Sequence, residues 1–165
     1  FIKVIDFGLA ELFNPSQKYA AFTGGTLLYM APEVFRQEMT TKGDVWSAGV
    51  ILYNLLTADF PFIAQWPPPA GKSESWWQEA TIEIIKNEEP KRHERLANWT
   101  SYSSDLLWKM LDKDRNTRPD AATCLHHEWF QDHTFSSESQ EPPALSIGVV
   151  QCVEAYARMG ELKKA

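Results

Sequence analysis

The run Gly43-Asp44-Val45-Trp46-Ser47-Ala48-Gly49-Val50-Ile51-Leu52-Tyr53-Asn54-Leu55-Leu56 constrains this chain more than any other stretch. A surface helix carries one apolar stripe and one polar face. Here Val45, Trp46, Ala48, Val50, Ile51, Leu52, Tyr53, Leu55 and Leu56 cover every face, which predicts a helix buried all round. Asp44 is placed to act as its N-cap, accepting the orphan N–H groups of the first turn. The run is about 14 residues long, whereas a bilayer span needs roughly 20. It is therefore expected to be the central helix of a packed globular domain, and the other elements should wrap around it.

The rest of the composition agrees. The chain has 165 residues, enough for one domain, and is 44% hydrophobic with seven Trp and nine Phe, so large side chains fill much of the core. A net charge of −6 and the lack of a basic block exclude a nucleic-acid footprint. Cys124 and Cys152 stand far apart, without CxxC spacing, and read as reduced thiols of an intracellular, cytoplasmic protein. No signal peptide or transmembrane segment is visible. The first residues, Phe1-Ile2-Lys3-Val4-Ile5, read like the interior of a longer structure.

Phe1 to Ile5 is a β-branched run suited to a short strand, and Asp6-Phe7-Gly8 ends it in a turn. Then come Gly24-Gly25-Thr26-Leu27-Leu28-Tyr29-Met30, Ala31-Pro32-Glu33, the helix with Asp44 in its first turn, and much later Arg115-Asn116-Thr117-Arg118-Pro119. In this order and spacing the set resembles the C-terminal lobe of a eukaryotic-type Ser/Thr protein kinase, over residues 1–130. The resemblance implies a mainly α fold: a helical bundle around the buried central helix, with a short N-terminal β segment and without the N-lobe.

It also implies a chemistry. Phosphoryl transfer from ATP needs charge on the phosphate oxygens neutralised, and a Mg²⁺ held by a hard oxygen ligand does this. Asp6 matches the family's metal-binding Asp, with Phe7 packing beneath it and Gly8 letting the loop turn. Leu9 to Met30 would be the activation loop. Thr26 matches the threonine that contacts the catalytic aspartate and shapes the floor for the protein substrate. Thr23 stands one position from the usual phosphosite, where Phe22 falls, so activation by loop phosphorylation is not implied. Glu33 and Arg118 resemble the family's buried ion pair, in which the planar guanidinium fork fixes orientation as well as charge. The residue matching Asp44 carries the catalytic loop from below.

Beyond the central helix the sequence departs from the family. Kinases often have Gly-x-Pro-Pro-Phe where this chain has Ala58-Asp59-Phe60-Pro61-Phe62. Asn54 lies where some basophilic kinases carry a Glu for a substrate arginine. Ala64 to Lys72, with Pro67-Pro68-Pro69, reads as a surface insertion or as a docking ligand for an aromatic groove. Ser75-x-x-Gln78 can form a capping box for a helix with Trp77, Ala80, Ile84 and Ile85 on one face. Leu106, Leu107, Met110 and Leu111 mark another helix, starting at Ser104 or Asp105. Pro119 fits the first turn of the next, from which Ala121, Ala122, Leu125 and Trp129 should face the core. His126, His127 and His133 lack the neighbours of a metal site.

Residues 131–143 are polar and Ser-rich, ending in Pro142-Pro143, and read as a linker. Residues 144–165 can form an amphipathic helix with Leu145, Val149, Val153 and Tyr156 on one stripe. This tail is similar to the start of the autoinhibitory junction segment of calcium-dependent protein kinases, which implies an EF-hand domain or calmodulin as partner. No Asp-x-Asp-x-Asp-Gly loop is present, so Ca²⁺ would act only through regions absent from this chain. The Gly-rich loop, the strand-borne Lys and the His-Arg-Asp loop are absent too, and the chain alone is expected to be catalytically incompetent. The alternative to a regulated kinase is a pseudokinase or protein-interaction module.

Overall fold

The computed structural model describes residues 10, 26–99 and 101–132. Among these the protein is helical, with five α-helices and three short 3₁₀ turns in the order 3₁₀(Leu27–Tyr29), 3₁₀(Pro32–Arg36), α1(Lys42–Thr57), α2(Glu74–Asn87), 3₁₀(Glu94–Asn98), α3(Ser101–Met110), α4(Ala121–Leu125) and α5(Glu128–Asp132). This is the mainly α, kinase C-lobe-like bundle that the sequence implies. The short β segment expected at 1–5, most of the activation loop, residues 133–143 of the expected linker 131–143 and the tail 144–165 lie outside the described residues, while Gln131 and Asp132 end α5 instead of opening the linker.

Helix α1 is the axis of the bundle, and α3 packs along it. Trp46, Val50, Tyr53 and Leu56 of α1 share one core with Ile85 of α2, Leu107 of α3, Leu111 just after α3, and Phe62 from the loop after α1. The approach of α1 to α3 is set by Gly49: a Cβ there would lie 2.9 Å from Met110 Cβ and 3.1 Å from Leu111 Cδ2. A smaller cluster joins Val45, Leu106 and Cys124, with Met110 and Trp129 against it.

Four expectations are corrected. First, Asp44 is not the N-cap of α1. The helix begins three residues earlier than that cap would set it, at Lys42 behind Thr41, because the turn closed by Gly43 N–H on Thr40 O already has helical geometry. Asp44 sits in the first turn, where its charge still complements the helix dipole. Second, α1 is not buried all round: Asp44, Ala48, Ile51 and Leu55 form an exposed stripe, with Ile51 49% and Leu55 39% exposed. Third, α2 is capped by Ser73, whose Oγ accepts from Trp76 N at 3.3 Å, while Ser75 Oγ only bonds Ser73 Oγ at 2.7 Å. Likewise α3 begins at Ser101 and α4 at Ala121 behind an Asp120 cap, so Pro119 precedes that helix. Fourth, α4 is a helix of 5 residues and buries Cys124, leaving Ala121, Ala122 and Leu125 exposed.

Beyond α1 the chain turns on Ala58, a left-handed residue at φ 59° whose N–H bonds Asn54 O at 2.7 Å. The insertion at 64–72 is folded back onto α2. Trp66 meets Trp77 edge-on at 5.3 Å, Trp77 Nε1 donates to Ala64 O at 3.3 Å, and Lys72 N closes a turn on Pro69 O at 2.9 Å. Pro68 and Pro69 are half-buried, so this stretch is not presented as a free polyproline ligand.

Candidate functional site: the anchor beneath the activation segment

Pro32 enters the first turn of its 3₁₀ helix, where a missing N–H costs nothing, and this carries Glu33 inward with Ala31 and Val34. From the other end of the sequence, the Asp114 carbonyl accepts the N–H groups of Thr117 and Arg118. The resulting turn delivers Arg118 to the same place. Its guanidinium is fully buried and forms a two-pronged pair with Glu33, Nη1–Oε1 2.6 Å and Nη2–Oε2 2.9 Å. Two further bonds hold the guanidinium: Nε donates to Asp112 O at 2.8 Å and Nη1 also to Lys42 O at 3.0 Å. A buried pair is tolerated when its spare donors find partners, and here each guanidinium nitrogen has at least one.

The anchor continues into an aromatic column. The Arg118 guanidinium lies 5.0 Å from the Trp46 ring centroid, and Trp46 stacks on Phe62 at 5.0 Å with 13° between planes. The Lys113 ammonium sits over the Phe62 ring, 4.3 Å from its centroid, and donates to the carbonyls of Ile84 and Ile85 in the last turn of α2. Burial pushes the Lys113 ammonium down to about 8, partly opposed by Glu89 and Glu88. Two aromatic rings and two cations are thus in serial contact, and the column links the Pro32–Arg36 turn to the C-terminal end of α2. A further tie is Ser47, whose hydroxyl lies 2.8 Å from Tyr29 O and holds the end of the activation segment on α1.

Thr26 is exposed and precedes the turn Leu27–Tyr29, its carbonyl accepting from Tyr29 N at 3.0 Å. Asp44 is exposed, and no hydrogen bond or ion pair reaches its side chain among the described residues. Asn54 is buried and spends its side-chain N–H₂ on Asp59 O at 3.0 Å, closing the turn after α1. A substrate arginine cannot reach it there. Asp6, Phe7 and Gly8 lie outside the described residues, as does Thr23. His127 bonds Asp105 at 2.8 Å and His126 bonds Ala122 O at 2.7 Å. Among the described residues no group of three His, Cys, Asp or Glu could hold a metal ion, and no helix is long and apolar enough to cross a membrane.

Sequence reasoning named Glu33 and Arg118, which the structure brings together, and missed Trp46, Phe62, Lys113 and Ser47. Trp46 could have been found from its place two residues after Asp44. Nothing in the sequence pairs Lys113 with Phe62.

A buried Glu held by an Arg from the far end of the lobe, beneath a turn opened by Ala-Pro, is the arrangement of a protein kinase C-lobe. The chain belongs to the protein kinase domain family, which matches residues 1–130. Members of that family transfer phosphate from ATP with Mg²⁺. It is 44% identical over 130 residues to calcium-dependent protein kinase 6 of Plasmodium berghei (strain Anka), covering 79% of this chain and 8% of that protein. It is 33% identical over 165 residues to calcium-dependent protein kinase 22 of Oryza sativa subsp. japonica, covering 99% of this chain and 26% of that protein. It is 32% identical over 165 residues to calcium-dependent protein kinase 8 of Arabidopsis thaliana, covering 99% and 28%. The chain thus spans about a quarter, or less, of the length of these relatives.

Proposed function

We propose that this chain is the substrate-side lobe of a Ser/Thr protein kinase that moves the ATP γ-phosphoryl group to protein hydroxyls and is regulated by Ca²⁺ in the longer protein. The observation that carries the reading is the Glu33–Arg118 anchor with every guanidinium nitrogen hydrogen-bonded, because it ties the Ala-Pro-Glu turn to the start of α1. The kinase-domain match and the calcium-dependent relatives support it. In this reading Asp6 supplies the oxygen ligand for Mg²⁺, and the metal neutralises developing phosphate charge. Thr26 shapes the substrate floor, and Asp44 holds the catalytic loop against α1. Residues 144–165 act as the junction helix toward an EF-hand domain or calmodulin. The 165-residue chain alone does not transfer phosphate, because it lacks the residues that position ATP and accept the hydroxyl proton.

The test is phosphate transfer from Mg-ATP by the natural full-length polypeptide, with and without Ca²⁺, beside an Asp6→Asn variant. Ca²⁺-dependent transfer that disappears in the variant is expected. Transfer that ignores Ca²⁺ would overturn the regulatory part, and a folded polypeptide with no transfer would overturn the enzyme.

A further inference from the structure

Between the segment that follows α2 and the C-terminal end of α3 lies a cleft of about 240 Å³, which shares Asp112 and Lys113 with the Arg118 anchor and its column. Its apolar wall is Trp108, Leu111 and Pro90. Over Trp108 lies the guanidinium of Arg92, 4.4 Å from the ring centroid. Stacking shields one face of the guanidinium from water and leaves its edge donors free. No hydrogen bond or ion pair occupies Arg92 among the described residues. A guanidinium fork placed over an aromatic ring suits an oxygen anion that accepts two parallel N–H bonds.

The other charges decide which anion. Lys113 adds a second positive charge at the wall, though its ammonium is already engaged by the carbonyls of Ile84 and Ile85. Two carboxylates also line the cleft. Asp112 is internally committed, accepting from Asp114 N at 2.9 Å and from the Thr117 hydroxyl at 2.7 Å, whereas Glu89 is exposed. A phosphate dianion would meet both carboxylates at close range. A single carboxylate on a short carbon stem meets the Arg92 fork with half that repulsion, and its apolar neighbour can cover Trp108 and Leu111.

We propose that this cleft docks a protein segment through one Asp or Glu carboxylate carried beside an apolar side chain, the carboxylate on Arg92 and the apolar group against Trp108, Leu111 and Pro90. The site does not depend on phosphoryl transfer by this chain. It would give a substrate or partner a second point of attachment, and linked contacts raise affinity through effective concentration.

The test is saturation-transfer NMR on the natural full-length polypeptide, with a Gly-Ser-flanked Leu-Glu-Leu peptide and its Leu-Gln-Leu counterpart as probes. The Glu peptide should bind saturably and at least ten-fold more tightly than the Gln peptide. Arg92→Gln should lose at least ten-fold, with an unchanged unfolding temperature and unchanged phosphate transfer to a peptide lacking acidic residues. Glu89→Gln, which only removes a competing carboxylate, should tighten binding two- to three-fold. Equal binding of the two peptides, undiminished binding by Arg92→Gln, weaker binding by Glu89→Gln, or stronger competition by inorganic phosphate than by acetate would each overturn the proposal. Loss of phosphate transfer in the wild-type polypeptide would bear on the kinase reading and leave the peptide result standing.

Discussion

The two long faces of α1 are built from the same kinds of residue and have different fates. Trp46, Val50, Tyr53 and Leu56 lie in the core, whereas Ala48, Ile51 and Leu55 form an exposed stripe behind Asp44. Hydrophobicity alone does not separate them. What does is partnership: the first face meets α3, Phe62 and the Arg118 guanidinium, and the second meets none of the described elements closely enough to be covered. Burial along α1 is therefore decided by what packs against each face and not by the residues of the face itself.

The largest expected effect breaks the covered side at its charged end. Arg118→Ala leaves the Glu33 carboxylate buried without its cation and frees the carbonyls of Asp112 and Lys42. It should cost about 3–5 kcal/mol of folding free energy in urea denaturation. Replacing Arg118 and Glu33 together by Met and Leu should recover much of that loss, because the stranded charge goes too. A double variant no more stable than Arg118→Ala would show that the pair is not what holds this region.

The adjacent residues Leu55 and Leu56 put the comparison to a direct test. Leu56 is 5% exposed and Leu55 39%. Leu56→Ala should destabilise by about 2–5 kcal/mol and Leu55→Ala by about 1 kcal/mol or less. If the two losses prove equal in the natural full-length polypeptide but not in the 165-residue chain, the stripe is covered by protein outside these residues. Gly49→Ala probes the covered side by overfilling it: the new methyl would meet Met110 Cβ at 2.9 Å, and α1 and α3 must part. A loss of about 1–3 kcal/mol is expected. Full stability on thermal melting would mean the helices separate freely.

The limits of the sequence follow the same division. The Ala-Pro-Glu turn, the Arg-Pro motif and the position of α1 were legible because each is a local signal. Exposure of the Ile51 side was not, since burial depends on what else is folded nearby. The N-cap was misplaced for a related reason. Asp44 is the better capping residue, but the turn at Thr40–Gly43 had already become helical and Lys42 is tied to Asn116 O at 3.2 Å. The column of Arg118, Trp46, Phe62 and Lys113 draws on three separate segments and carries no periodic signature at all.

One departure from the family pattern does have a structural reading. Ala58 stands where kinases often have Gly, and it is left-handed at φ 59°. A Cβ in that region costs about 1–2 kcal/mol, which glycine avoids at some cost in unfolded-state entropy. Ala58→Gly should therefore stabilise the protein by about 1 kcal/mol, read as a rise in the denaturation midpoint. A fall would mean that the Asn54, Thr57 and Asp59 bonds around the turn already absorb the strain.

The smallest effect lies at the far end of the column. Lys113 titrates near 8 in the folded protein, against 10.5 for its ordinary value, because burial disfavours the ammonium. The folded state therefore binds fewer protons than the unfolded state between those two values, and stability should rise as pH goes from about 8 to 10.5. Below 8 both states carry the proton and the penalty is fully present. Lys113 is half-buried, so solvent screens part of the burial penalty and the net slope is small. Tyr53 is pushed up to about 12 by its own burial, above this range. The difference between wild type and Lys113→Met isolates the effect. The wild type should gain on the variant as pH rises through this window. A gap that stays constant would put the Lys113 ammonium in contact with water, and the column would then end at Phe62.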